Sequence, residues 1–163
     1  MSGNNLPNAL NDIVVRRAAR EDGTTLIRLL QALADYEHLP GPDEGARQRL
    51  LEHGWPANGG RPLYTAWLVE CGGEPAGCAF TSITYSTFLA RPTLYLEDLF
   101  ILPNFRRKGT GSALFSHLRA EAKRLGCGRM EWVVLDWNQI ALEFYHTHGA
   151  TYLPEWRCYR LTL

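Results

Sequence analysis

What the chain lacks narrows its class first. None of its 163 residues belong to an apolar run near the roughly 20 residues of a membrane span. It lacks net charge: 17 Lys and Arg balance 17 Asp and Glu. No global field therefore draws it to nucleic acid or a membrane surface. Cysteine is sparse. Cys71, Cys78, Cys127 and Cys158 form neither a C-x-x-C pair nor a dense framework. They read as free thiols in a reducing cytoplasm, with Cys78 and Cys158 as small core residues in strand-like runs. The histidines are scattered, and His146 and His148, two apart, do not share a helix face. No metal site is expected. Met1 to Asn11 is polar, lacks the regions of a signal peptide and reads as a flexible tail over 1–11. No G-x-x-x-x-G-K-[ST] and no G-x-G-x-x-G occurs, which argues against the common nucleotide-binding loops.

What is present is globular. Hydrophobic residues make up 45% and charged residues 21%, values of an ordinary domain over 12–163. Ile13 to Ala18 reads as a strand. Leu26, Leu29, Leu30 and Leu33 recur at helical spacing and stop before Leu39-Pro40-Gly41-Pro42. Asp43 to His53 reads as a weaker helix. Tyr64 to Cys71, a Gly72-Gly73-Glu74-Pro75 turn, Ala76 to Tyr85 and Thr93 to Leu102 read as a meander. Ser112 to Leu125 is an amphipathic helix ended by Gly126. Arg129 to Leu135 is apolar on both faces, as a central parallel strand is. Asn138 to His148 is a short helix, and Trp156 to Leu163 a last strand. The order is mixed α/β, with hairpins that exclude a purely parallel sheet. Trp55, Trp67, Trp137 and Trp156 read as packing residues.

Between the Thr93 strand and the Ser112 helix stands Arg106-Arg107-Lys108-Gly109-Thr110-Gly111-Ser112. The first N–H groups of a helix lack internal partners, and the helix dipole is positive there. Gly109 and Gly111 let backbone approach an anion closely. Arg106, Arg107 and Lys108 add charge. A plain surface loop with cations accounts for the same residues.

Arg-x-x-Gly-x-Gly in this turn resembles the pyrophosphate-binding turn of the GCN5-related N-acetyltransferases, the GNAT superfamily. Tyr95-Leu96-Glu97-Asp98-Leu99-Phe100, Leu135-Asp136-Trp137-Asn138 and Phe144-Tyr145-His146-Thr147-His148-Gly149-Ala150 follow in order. Together they resemble its diamine (spermidine/spermine) or thialysine acetyltransferase branch. The likeness is densest from Tyr95 to Ala150 and reaches back to Tyr36-Glu37. It implies a mixed, mostly antiparallel central sheet with flanking helices and two parallel strands that splay apart. It implies acetyl-CoA as co-substrate, a small-molecule amine as acceptor and a homodimer built around the C-terminal strand. Leu39 to Gly60 matches the family poorly, so the amine is left open. A peptide amine or a non-catalytic acyl-CoA module are the alternatives.

The same resemblance assigns residues. Leu99, Phe100 and Ile101 would meet the pantetheine arm through backbone groups. Arg106 to Ser112 would hold the pyrophosphate, and Asn138 would contact the same co-substrate. Asn138 also reads as a helix N-cap. Tyr36, Glu37, Glu97, Glu131, Trp132 and Val133 would surround the acceptor. An amine with a pKa of about 10.4 must lose a proton before attack, and Glu97 is the candidate base. It is also open to roles as a cation anchor or a structural ion-pair partner. Strand alternation sends Asp98 to the opposite face, as a structural residue. Tyr145 matches the tyrosine that protonates the departing sulfur. Apart from the resemblance, it reads as a core tyrosine with a satisfied hydroxyl.

Overall fold

The structure is a computed structural model that describes residues 12–57 and 59–163. The tail expected over 1–11 lies outside the described residues. The chain divides into two compact units, residues 1–132 and 133–163.

The first unit holds a five-stranded sheet in the order β1-β2-β3-β4-β5. The strands are β1 (Ile13–Arg17), β2 (Thr65–Cys71), β3 (Glu74–Ser86), β4 (Arg91–Ile101) and β5 (Arg129–Glu131). β1 to β4 pair antiparallel, and β4 and β5 pair parallel. The mixed, mostly antiparallel sheet is therefore as expected. Gly72 and Gly73 carry φ of 59° and 83° between β2 and β3. Two positive φ values in a row are what a tight hairpin needs and what glycine supplies without strain.

Helices cover both faces of the sheet. α1 (Gly23–Glu37) buries Leu26, Leu29 and Leu33. Leu26 and Leu29 share a core with Ala18, Ala66, Leu68, Cys78 and Phe80. α2 (Glu44–Gly54) is capped by Asp43, whose carboxylate accepts from Ala46 N–H at 2.7 Å. α3 (Thr110–Arg124) buries Leu114, Phe115, Leu118 and Ala122. On its face of the sheet the Trp67 ring meets His117 edge-on at 5.0 Å, and Trp67 Nε1 donates to Thr81 Oγ1 at 2.9 Å. Arg16 ties β1 to β2 and to the start of α1, donating to both carboxylate oxygens of Asp22 and to Glu70. That guanidinium holds the Asp22 carboxyl below its ordinary pKa.

α1 and α3 close on a left-handed residue, whereas α2 ends at Trp55 with φ of −138°. After α3, Gly126 takes φ of 71°, its N–H bonds Lys123 O, and Cys127 N–H bonds Ala122 O. α1 ends the same way, but with His38 at φ 58° in the glycine position.

In the second unit, α4 (Gln139–Thr147) is the one helix or strand. Gly149, at φ 82°, closes it, and Ala150 N–H returns to Tyr145 O at 3.0 Å.

Three expectations need correction. Trp156 to Leu163 is not a strand; its residues are exposed and form no ladder. A strand exists only as one member of a pair, and this unit offers no second strand. Cys158 and Trp156 are accordingly exposed rather than core, and Trp137 is 47% exposed. The strand expected over Arg129 to Leu135 stops at Glu131. No described helix is long and apolar enough to cross a membrane.

Candidate active site

β4 changes character halfway along. Thr93, Leu94 and Tyr95 lie between β3 and β5, paired with Arg129, Met130 and Glu131 on the parallel side. Pairing with β5 stops there, while β4 runs on to Ile101 with β3 alone as its sheet neighbour. From Leu96 onward its outer edge carries backbone N–H and C=O groups not used in the sheet. β5 itself ends at Glu131, so its ladder with β4 is three residues long.

A bulge sits at that point. Leu96 faces Thr81 and Asp98 faces Phe80, so Glu97 is the extra residue. Before it, even-numbered side chains point to α3: Leu96 pairs with Thr81, which bonds Trp67. After it, even-numbered side chains point to α1. Asp98 and Phe100 pair with Phe80 and Cys78 of the α1 core. Plain alternation therefore misplaces Asp98. The sequence alone does not show the bulge, because no glycine or proline marks it.

The electrostatics follow. Glu97 is exposed. Asp98 is half-buried, and its carboxyl is pushed up to about 6, first by burial, then by the charges of Glu97 and Glu37. Burial also raises Glu37, at the last position of α1. Asp98 helps burial push the Cys78 thiol up, as its place on the α1 face requires. Asp98 is thus a carboxyl whose titration is raised toward neutral pH beside two others, a kind of perturbation that clusters at functional sites. Sequence reasoning set it aside as structural; the signal it lacked was the bulge. Among the described residues, no set of three or more His, Cys, Asp and Glu groups could hold a metal ion.

The basic turn follows β4 through a 3-10 turn at Pro103–Phe105. Gly109, at φ 84°, is the N-cap of α3 and offers no side chain to cap it. The helix's first internal bond runs from Ala113 N–H to Gly109 O at 2.9 Å. The N–H groups of Thr110, Gly111 and Ser112 precede that bond and point out along the dipole. The Thr110 side chain turns inward instead, its hydroxyl 3.4 Å from Cys71 Sγ. Arg107 and Lys108 are exposed, and Lys108 Nζ donates to Asn104 O at 2.8 Å. Arg107 takes φ of 61°. Arg106 behaves differently from both: Nε donates to Ile101 O at 2.8 Å and the guanidinium lies over the rings of Tyr36 and Phe100.

The first unit thus brings together Tyr36, Glu37, Glu97, Leu99, Phe100, Ile101 and the turn. Glu131 forms an ion pair with Arg129 at 3.1 Å, and Trp132 packs edge-on against Phe115 at 5.6 Å. Both therefore have structural partners within the first unit. In the second unit Asn138 Oδ1 caps α4 by accepting from Ala141 N–H at 3.2 Å. That cap uses the oxygen, while the amide nitrogen has two donors of its own. Tyr145 is half-buried and stacks edge-on with Phe144 at 5.3 Å. Val133 is exposed. A cavity of about 200 Å³ lies on the α3 face, lined by Tyr64, Trp67, Thr81, Ile83 and Leu94 among others, and includes none of these candidates.

Residues 26–150 match the acetyltransferase (GNAT) family. The chain belongs to that family, and by that membership it is an N-acetyltransferase. It is 31% identical over 159 residues to the thialysine N-epsilon-acetyltransferase of Bos taurus, with 91% of each chain covered. It is 44% identical over 87 residues to the L-ornithine N5-acetyltransferase NATA1 of Arabidopsis thaliana, a match spanning 53% of this chain and 38% of that protein. Among solved structures, a probable acetyltransferase aligns with a TM-score of 0.77 at 18% identity, covering 92% of this chain and 97% of the other. AAC(6')-Iy in complex with a CoA bisubstrate analog aligns at 0.74 and 20% identity, covering 94% and 100%. At such identities these two attest the fold alone.

Proposed function

We propose that the protein transfers the acetyl group of acetyl-CoA to a primary amine of a small molecule by direct attack. A diamine, a polyamine or a lysine analogue is the acceptor class. The observation that carries this is β4 itself. Its bulged, half-open end sets a carboxylate pair beside a turn whose helix N-terminus is bare of side-chain caps. The named relatives, which act on thialysine and ornithine, point to the same acceptor chemistry.

The residues divide the work. The bare N–H groups of Thr110, Gly111 and Ser112, with Arg107 and Lys108, suit a pyrophosphate. The open edge at Leu99, Phe100 and Ile101 suits an extended amide-bearing arm, and family likeness assigns Asn138 to the same co-substrate. Glu37, Glu97 and Asp98 together favour a cation, with the Tyr36 ring beside them. The ammonium must give up its proton, and the exposed Glu97 carboxylate takes it directly or through water. The amine then attacks the thioester carbonyl, and Tyr145 returns a proton to the departing thiolate. The enzyme is read as cytoplasmic and homodimeric. The exposed Trp156, Tyr159 and Leu161 of the C-terminal segment are apolar surface that a second copy would cover. Light scattering that reports a monomer at micromolar concentration would count against the dimer.

Acetyl-CoA turnover across a panel of thialysine, ornithine, diamines, polyamines and lysine-bearing peptides tests the reading. CoA release with small amines is expected. Release with peptides alone would move the acceptor to proteins. Binding of acetyl-CoA without release for any amine would leave a binding module. Tyr145→Phe should lower kcat by about ten- to a thousandfold with acetyl-CoA affinity kept.

A further inference from the structure

Resemblance places Arg106 among the phosphate ligands, but its side chain faces another way. Nε donates to the Ile101 carbonyl at 2.8 Å. The guanidinium carbon lies 4.7 Å from the centroid of the Tyr36 ring and 5.5 Å from that of Phe100. Those rings are 6.3 Å apart and tilted by 47°. One half-buried side chain therefore joins the C-terminal end of α1 to the open end of β4, while its backbone enters the turn before α3.

We propose that Arg106 is a positioning residue that fastens Tyr36 and Glu37 to the end of β4, and not a ligand for phosphate. The proposal rests on the reading that Tyr36 and Glu37 hold the acceptor amine. A planar, weakly hydrated guanidinium suits such a place, because it can stack on rings while its edge donates to a carbonyl. A phosphate ligand would hold its donors toward the α3 N-terminus, where exposed Arg107 and Lys108 already supply charge. Glu37 follows Tyr36 directly and acts electrostatically on Asp98. Releasing Tyr36 therefore shifts a charge of the acceptor site and leaves the phosphate turn in place.

Steady-state kinetics of Arg106→Lys, Tyr36→Leu, the double variant and Tyr36→Phe test this. Arg106→Lys keeps the charge and loses the planar stack. The amine KM should rise about tenfold, the acetyl-CoA KM should change less than about threefold, and kcat should hold. Tyr36→Leu should do the same, with the double variant no worse than either single one. Tyr36→Phe keeps the ring on which the guanidinium stacks and should raise the amine KM less than Tyr36→Leu does. A tenfold rise in acetyl-CoA KM with the amine KM unmoved would make Arg106 a phosphate ligand and overturn the proposal. So would additive effects of the two substitutions. A purely structural role would lower the melting temperature and damage kcat and both KM values together, and would overturn it as well. If the parent acetylates no amine, the functional reading fails by itself. Melting of the same four variants then decides: non-additive losses support the contact, and additive losses overturn it.

Discussion

The two halves of β4 are a strand of one sequence run in two environments. In the first half, Thr93 and Leu94 are each 1% exposed and flanked by strands on both sides. There the backbone is regular and the side chains are committed to the core. In the second half one neighbour is gone, a bulge reverses the alternation, and two acidic residues stand in succession. A carboxyl near pKa 6 is tolerated there. The first half stabilises; the second departs from regular structure where chemistry needs it, as functional sites do.

The sharpest way to break this contrast is Glu97→Gln. It keeps shape and hydrogen bonding but removes the proton acceptor. The rate at neutral pH should fall by about a hundred- to ten-thousandfold and recover partly as pH approaches the pKa of the amine. Melting should hardly change, since Glu97 is exposed. A pH–rate profile checks this; an unchanged rate at pH 7 would remove Glu97 from the mechanism. Leu94→Ala probes the other half and should cost about 2–5 kcal/mol in urea unfolding. The amine KM of the folded fraction should stay put. A changed KM would mean that the halves are not separable.

Asp98→Asn should sharpen the contrast from the opposite direction by stabilising the fold at pH 7. The Asp98 carboxyl rises from an ordinary 3.8 to about 6 in the folded chain. The folded state therefore holds the proton more tightly than the unfolded one. Stability from this group is greatest below the unfolded value, falls as pH rises through the window from 3.8 to about 6, and is flat above. Asparagine removes that loss, so variant and parent should diverge between pH 4 and pH 7. After allowance for residual solvent contact, the gap should reach on the order of 2 kcal/mol. Urea titrations at both pH values measure it, and a gap independent of pH would refute the assignment. Amine turnover should fall in the same variant.

Arg107→Gly has the smallest expected effect. A left-handed arginine costs about 1–2 kcal/mol, and glycine's extra entropy in the unfolded chain takes back about 0.5–1. Thermal melting should show a gain of at most about 1.5 kcal/mol. A loss would mean that the Arg107 side chain has a stabilising contact beyond the turn.

Much of this was legible in the sequence. Leu26, Leu29 and Leu33 marked α1 by spacing, the Gly72-Gly73 pair marked a hairpin, and glycines between strand and helix marked the turn. Each signal is local. What escaped depends on partners far along the chain. The bulge at Glu97 is a property of register with Phe80 and Thr81. The inward turn of Arg106 depends on Tyr36 arriving from α1. The failure of Trp156 to Leu163 to form a strand is a matter of having nothing to pair with. Tyr36, Glu37, Phe100 and Ile101 were found through family likeness; spacing alone would not have joined them.

Strand order along the sheet is the order along the chain, and this has a kinetic meaning. β2, β3 and β4 are linked by turns at Gly72-Gly73 and Thr87–Ala90, so this meander can zip from local contacts. β1 and β5 must each wait for a long connection, through α1 and α2 or through α3, before they have a partner. The edge against which β4 opens is thus completed by a late, non-local closure, and we expect amide exchange to show β5 fraying while β2 to β4 stay protected. The acceptor side and the phosphate turn would then be joined after the central meander has set, which makes the site the last part of the sheet to mature.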